Sequence, residues 1–119
     1  MRQIELRHLR YFVAVAQAGS VMAGARAAGI VQPALSRQIR ELEEAIGTPL
    51  LIRRATGVTL TAAGASFLQD ATALLATLQD SRERALRSAA GQFGELRLGA
   101  LPNCLPLPIV ADVRLGAGE

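Results

Sequence analysis

Apolar positions recur at helical spacing along most of the chain. Leu6, Leu9, Phe12, Val13 and Ala16 predict a first helix over 7–18, with Tyr11 off the stripe and Gly19 ending it. Ser20 is suited to cap a short second helix over Val21–Ala28, with Val21, Ala25 and Ala28 facing inward. Gly24 either weakens that helix, by about 1 kcal/mol relative to Ala, or permits a tight helix crossing. After Gly29, the apolar residues Leu35, Ile39, Leu42 and Ile46 step by four, three and four, which predicts a third helix within 31–47. Pro33 stands where a first helical turn tolerates it, and Gly47 where a helix stops. Two short helices joined by a Gly-containing turn make a helix-turn-helix pattern.

The pattern then changes period. Leu50-Leu51-Ile52 and Val58-Thr59-Leu60 are short, partly β-branched runs around a Gly-containing loop, and they predict a hairpin with Arg53 and Arg54 at its tip. Thr61 caps a long helix expected over 62–90, about 40 Å at the usual rise per residue. Its stripe of Phe67, Leu68, Ala71, Leu74, Leu75 and Leu78 continues through Ala85, Leu86 and Ala89 and is interrupted by Arg82. The preceding sixty residues offer too little surface to cover it all, which favours a twin helix in a homodimer. The alternative is a helix folded back on its own domain. Gly91-Gln92-Phe93-Gly94 is expected to break the helix, and 95–100 alternates as a short strand would. The tail beyond holds Pro102, Pro106 and Pro108 and is too short for a second core.

The polar side of the third helix carries the candidate chemistry. Gln32, Ser36, Arg37 and Arg40 are residue types that hydrogen-bond base edges and phosphates. A solvated face on a structural helix is the alternative. The hairpin arginines fit a wing against a DNA backbone or minor groove, or else a surface hairpin with two solvated cations.

Charge follows the same division. Up to Leu60 there are eight Arg against four acids, a net of +4; from Thr61 onward five Arg face six acids, a net of −1. The basic excess thus belongs to the half with the helix-turn-helix, as in a nucleic-acid-binding unit with a neutral appendage. All 13 basic residues are Arg, a type that suits bidentate contact with phosphate and guanine, but the uniform absence of Lys reflects genome composition and carries no weight for binding. Only 3% of residues are aromatic, so the core is built from Leu, Ile, Val and Ala. With one cysteine, Cys104, and one histidine, His8, there is no internal disulfide and no His/Cys metal cluster. His8 is expected to be partly exposed with no partner. No paired acid and base, activated nucleophile or phosphate loop points to an enzyme, and no cofactor is expected. No run has the length of a membrane span or the form of a signal peptide, so a soluble, cytoplasmic protein is expected.

These residues together resemble the DNA-binding region of LysR-type transcriptional regulators, from Leu6 to about Ala100. The resemblance rests on LRYFVAVAQAGS at 9–20, QPALSRQIRELEEAIGTPLL at 32–51, and Arg53 followed by GVTLTAAG at 57–64. GELRLGA at 94–100 looks like the first strand of the family's effector-binding domain. The resemblance implies a mainly α fold: a winged helix-turn-helix over 1–60, a linker and dimerisation helix over 61–90, and a hinge with a truncated remnant of the effector domain over 91–119. It further implies double-stranded DNA as partner, with Gln32, Pro33, Ser36 and Arg37 meeting bases or backbone in the major groove and Arg53 in the wing reaching the minor groove or phosphates. Arg40, on the polar side of the third helix, and Arg54, beside Arg53, are candidate contacts by their own positions. Phe67, Leu68, Ala71, Leu75 and Leu78 are expected to line the homodimer contact. A small-molecule co-inducer is expected for full-length members, but its domain is not present in 119 residues. A protein-interaction module that pairs with full-length relatives is the competing function. At Val31 the family usually carries Ser or Thr, and at Met22 and Ala23 polar or basic residues; these departures imply lost backbone contacts and weaker DNA binding.

Overall fold

Four helices and one hairpin appear in the computed structural model, which describes residues 3–95. They are α1 (Leu6–Ala18), α2 (Val21–Ala28), α3 (Gln32–Ile46), β1 (Leu51–Arg54), β2 (Gly57–Leu60) and α4 (Ala62–Glu95). The chain divides into two compact units between Leu78 and Gln79.

Within the first unit, the short helices are set by their ends. The Ala23 N–H donates to Ser20 Oγ at 3.0 Å, so Ser20 caps α2 as its residue type predicts. At Gly24 an added Cβ would lie 2.8 Å from Val15 Cα, so the glycine serves the close crossing of α1 and α2. Phe12, Val15, Leu35, Ile39, Leu42 and Leu50 are fully buried and form the centre of the core. Phe67 of α4 closes it, its ring centroid 5.8 Å from that of Phe12 at a 54° tilt.

The first helix differs from its predicted stripe. Leu6 is exposed and Val15 buried, because the inward face is carried by His8, Leu9, Phe12 and Val15. His8 is only 3% exposed, against the expectation of a partly exposed residue without a partner. Its Nδ1 accepts the Glu5 N–H at 3.0 Å, so Nε2 carries the ring proton and donates to Glu41 Oε1 on α3 at 3.1 Å. A polar cross-link thus joins the start of α1 to the middle of α3. In α2, Gly24 is buried and Ala28 exposed, the reverse of the inward position expected for Ala28.

The hairpin is antiparallel, pairing Leu51 with Leu60, Ile52 with Thr59, Arg53 with Val58 and Arg54 with Gly57. Ala55 and Thr56 form the turn, so Arg53 and Arg54 end β1 and do not occupy the tip. The hairpin is held at several points along its length. Glu43 Oε2 accepts the N–H groups of Leu50 and Leu51 at 2.8 and 3.2 Å, and the Val58 N–H donates to Gly19 O at 2.9 Å. Thr61 Oγ1 donates to Pro49 O at 2.8 Å and accepts the Gly64 N–H at 2.9 Å, joining the hairpin base to the start of α4. A Cβ at Gly64 would collide with Leu50 O, so α4 begins against the backbone that leads into β1.

The described part of the second unit is the remainder of α4, which continues through Gly91 to Glu95. The break expected at 91–94 is therefore absent. An interior glycine lowers helix stability by only about 1 kcal/mol, and propagation from an established helix tolerates that cost. The strand expected over 95–100 does not begin at Glu95; its remaining residues, the tail and Cys104 lie outside the described residues. Among the described residues, no helix is long and apolar enough to cross a membrane.

Candidate nucleic-acid interface

The apolar stripe of α3 fixes which side chains face outward. Leu35, Ile39 and Leu42 are buried, which turns Gln32, Pro33, Arg37 and Arg40 to solvent and leaves Ser36 half-buried. Positions 33, 37 and 40 follow one another at four- and three-residue steps, so their side chains share a face. The helix starts without a side-chain cap, since Val31 supplies none, and no acid occupies its first turn. Its N-terminal N–H groups and the positive end of its dipole thus meet no carboxylate of that turn.

Arg53 and Arg54 are both exposed on β1. Arg54 Nε donates to Thr59 Oγ1 across the hairpin at 3.2 Å, which leaves its terminal nitrogens available. Gln32, Arg53 and Arg54 line one open groove, together with Ser20 and Met22 at the start of α2 and Thr56 in the turn. Pro33, Ser36, Arg37 and Arg40 lie along α3 and do not line this groove. Among the described residues, Arg37, Arg40 and Arg53 have no ion-pair partner. Unpaired guanidiniums beside a free helix N-terminus make a surface suited to a polyanion with readable polar edges.

Sequence reasoning missed two supports of this surface. Glu43 ties the backbone ahead of β1 to α3, and His8 with Glu41 ties α3 to α1. Neither link has a local signature, because the His8–Glu41 bond spans 33 positions. Met22, noted only as a departure from a family pattern, lines the groove itself.

The predicted dimer residues separate into two groups. Phe67 and Leu68 pack against the core of their own unit, and Ala71 is fully buried there, so Ala71 has no surface to offer a partner. The start of α4 is folded against its own domain, as the alternative reading allowed. Leu75 is half-buried, whereas Leu78 is exposed, and so are Leu74 and Leu86.

Comparison with known proteins places this arrangement. Residues 6–65 match the family of bacterial regulatory helix-turn-helix proteins of the lysR type. The chain is 52% identical over 95 residues to the HTH-type transcriptional regulator TfdT of Cupriavidus pinatubonensis, covering 80% of this chain and 42% of TfdT. It is 49% identical over 96 residues to the HTH-type transcriptional regulator BudR of Klebsiella aerogenes, covering 81% of this chain and 67% of BudR. A crystal structure of a CbnR_DBD–DNA complex superposes with a TM-score of 0.70 at 42% identity, covering 72% of this chain and 99% of that one. The chain thus spans less than half the length of TfdT and two thirds of BudR, over the part that holds the helix-turn-helix. The shared sequence, fold and arrangement of α2, α3 and hairpin establish that this chain belongs to the LysR family of bacterial regulatory helix-turn-helix proteins.

Proposed function

We propose that the chain is the DNA-binding and linker part of a transcriptional regulator. The observation that carries this reading is the groove in which Gln32, at the start of α3, meets Arg53 and Arg54 of the hairpin. In this reading the first turns of α3 enter the major groove. Gln32 pairs with adenine N6/N7, and Arg37 with guanine O6/N7, each good bidentate contact being worth about 1–3 kcal/mol of discrimination. Arg53 and Arg54 hold phosphates or reach the minor groove, and Arg40 adds a backbone contact farther along α3. Support comes from the similar CbnR_DBD structure, a complex with DNA, and from relatives named as transcriptional regulators. Two copies pair through the part of α4 that remains exposed, with Leu74, Leu78 and Leu86 in place of Ala71. A cytoplasmic location fits such a regulator.

Sequences enriched from random duplex DNA by the purified chain test the proposal. Arg37→Ala and Arg53→Ala are each expected to abolish binding to the enriched site while the light-scattering mass stays unchanged. Retention of full affinity in both variants would overturn the assignment of these residues.

A further inference from the structure

Among the described residues, the two most exposed large apolar side chains lie at the beginnings of α2 and α3. Val31 is 69% exposed and Met22 59%. Val31 has extended backbone at the N-cap of α3 and gives that helix no side-chain cap. It immediately precedes Gln32, and Met22 lines the same groove as Gln32, Arg53 and Arg54. Neither side chain carries a donor or a charge, so neither can hold a phosphate. Both stand beside the cations of the proposed DNA surface, where Val21, Ala55 and Val58 also line the groove and Arg37 and Arg53 lack ion-pair partners among the described residues. That surrounding charge argues for a polyanion as the occupant and against an apolar protein partner. On the major-groove edge of duplex DNA, the one apolar group that distinguishes a base is the C5 methyl of thymine.

We propose that Val31 and Met22 read thymine methyl groups and so set part of the sequence preference of this chain. The proposal rests on the DNA-binding reading above. It changes the meaning of Val31 and Met22: a lost phosphate anchor is replaced by a base contact that does not depend on salt. Burial of one methyl against either side chain corresponds to about a fourfold change in affinity.

Deoxyuridine provides the test, because it removes the methyl and keeps every hydrogen-bonding group of thymine. The full 119-residue chain is used to enrich a site from random duplex DNA. Each thymine of that site is then replaced singly. At one or two positions per half-site, deoxyuridine is expected to weaken binding about fourfold. At those positions Val31→Ser or Met22→Ser is expected to bind the thymine and deoxyuridine sites equally, with circular dichroism unchanged. Loss of the methyl without effect at every position would overturn the proposal. So would Val31→Ser and Met22→Ser variants that keep the full thymine preference, or a Val31→Ser gain of the same factor on both sites, the behaviour of a restored phosphate contact. If no sequence is enriched at all, the DNA-binding reading fails first and takes this inference with it.

Discussion

The two units of the chain use apolar residues in opposite ways. Up to Leu78, the residues that define the core are fully covered: Phe12 against Phe67, with Leu35, Ile39, Leu42 and Leu50 around them. From Gln79 to Gly91 every residue is exposed, including Leu86. The first unit is therefore held by tertiary burial. The helix of the second is held by local terms: good helix formers such as Ala, Leu and Arg, and short side-chain contacts. In one, Gln79 Nε2 donates to Glu83 Oε2 at 3.0 Å; in another, Arg84 donates to Ser81 Oγ at 3.1 Å. Such contacts contribute tenths of a kcal/mol each, so a helix of this kind gains most by covering its leucines with a partner.

The largest test of this contrast is a pair of truncations. Phe12→Ala removes a fully buried ring from the centre of the first unit and is expected to lower stability by about 3–5 kcal/mol, read as a fall in the urea midpoint. Leu86→Ala, at a concentration low enough to keep the chain unassociated, is expected to change it by less than about 0.5 kcal/mol. Comparable losses from both would mean that the second unit is covered within one chain.

A glycine pair sharpens the same comparison through its sign. At Gly24 an added Cβ would meet the Val15 backbone at 2.8 Å, so Gly24→Ala forces α1 and α2 apart and is expected to cost about 1–3 kcal/mol. At Gly91 an added Cβ would meet nothing within 4 Å. Gly91→Ala is expected to increase helicity at 222 nm and to stabilise that end of α4 by up to about 1 kcal/mol. One substitution type thus separates a helix confined by packing from one limited by its own propensity.

What the sequence could reveal follows from which of these forces acts. Elements set by local rules were legible. Ser20 capping α2, glycines ending the first three helices and the strand periods around Gly57 all depend on residues within a few positions. Gln32, Arg37 and Arg40 were legible as candidates for the same reason, since the α3 stripe alone turns them outward. Long-range choices were not legible. His8 is buried because Glu41, far along the chain, supplies its partner, and Glu43 is recruited by backbone N–H groups that have no side-chain signature. Ala71 reads as part of one continuous stripe, yet packing divides that stripe between the chain's own core and solvent. Gly91 reads as a stop signal, yet α4 runs through it, because such a signal weighs less inside a long helix than at the end of a short one.

Two N-caps of the first unit give smaller effects of opposite sign. Ser20→Ala removes the oxygen that accepts the Ala23 N–H and is expected to lower stability by about 1 kcal/mol. Val31 occupies the N-cap of α3 with extended backbone, φ −73° and ψ 147°, but without an acceptor. Val31→Ser is therefore expected to raise stability by about 0.5–2 kcal/mol, visible as a higher melting temperature in the absence of DNA. Equal melting temperatures for Val31→Ser and the parent chain would mean that solvent already satisfies those N–H groups at no cost.

The smallest expected effect on the fold comes from the exposed stripe itself. Leu74 and Leu78 are exposed, so replacing both with Asp removes no packing from the core of the first unit. Unfolding of that unit, followed at a concentration where the parent chain is unassociated, is expected to move by no more than about 1 kcal/mol, the loss of helix propensity from Leu to Asp at two positions. At higher concentration the same variant is expected to halve the light-scattering mass, since two carboxylates placed in an apolar seam lose hydration without gaining a partner. If the mass stays that of a dimer, the pairing surface is not this stripe. If the stability falls by several kcal/mol instead, these leucines belong with Phe12 and Ala71 as core, and the boundary between the two kinds of helix lies beyond Leu78.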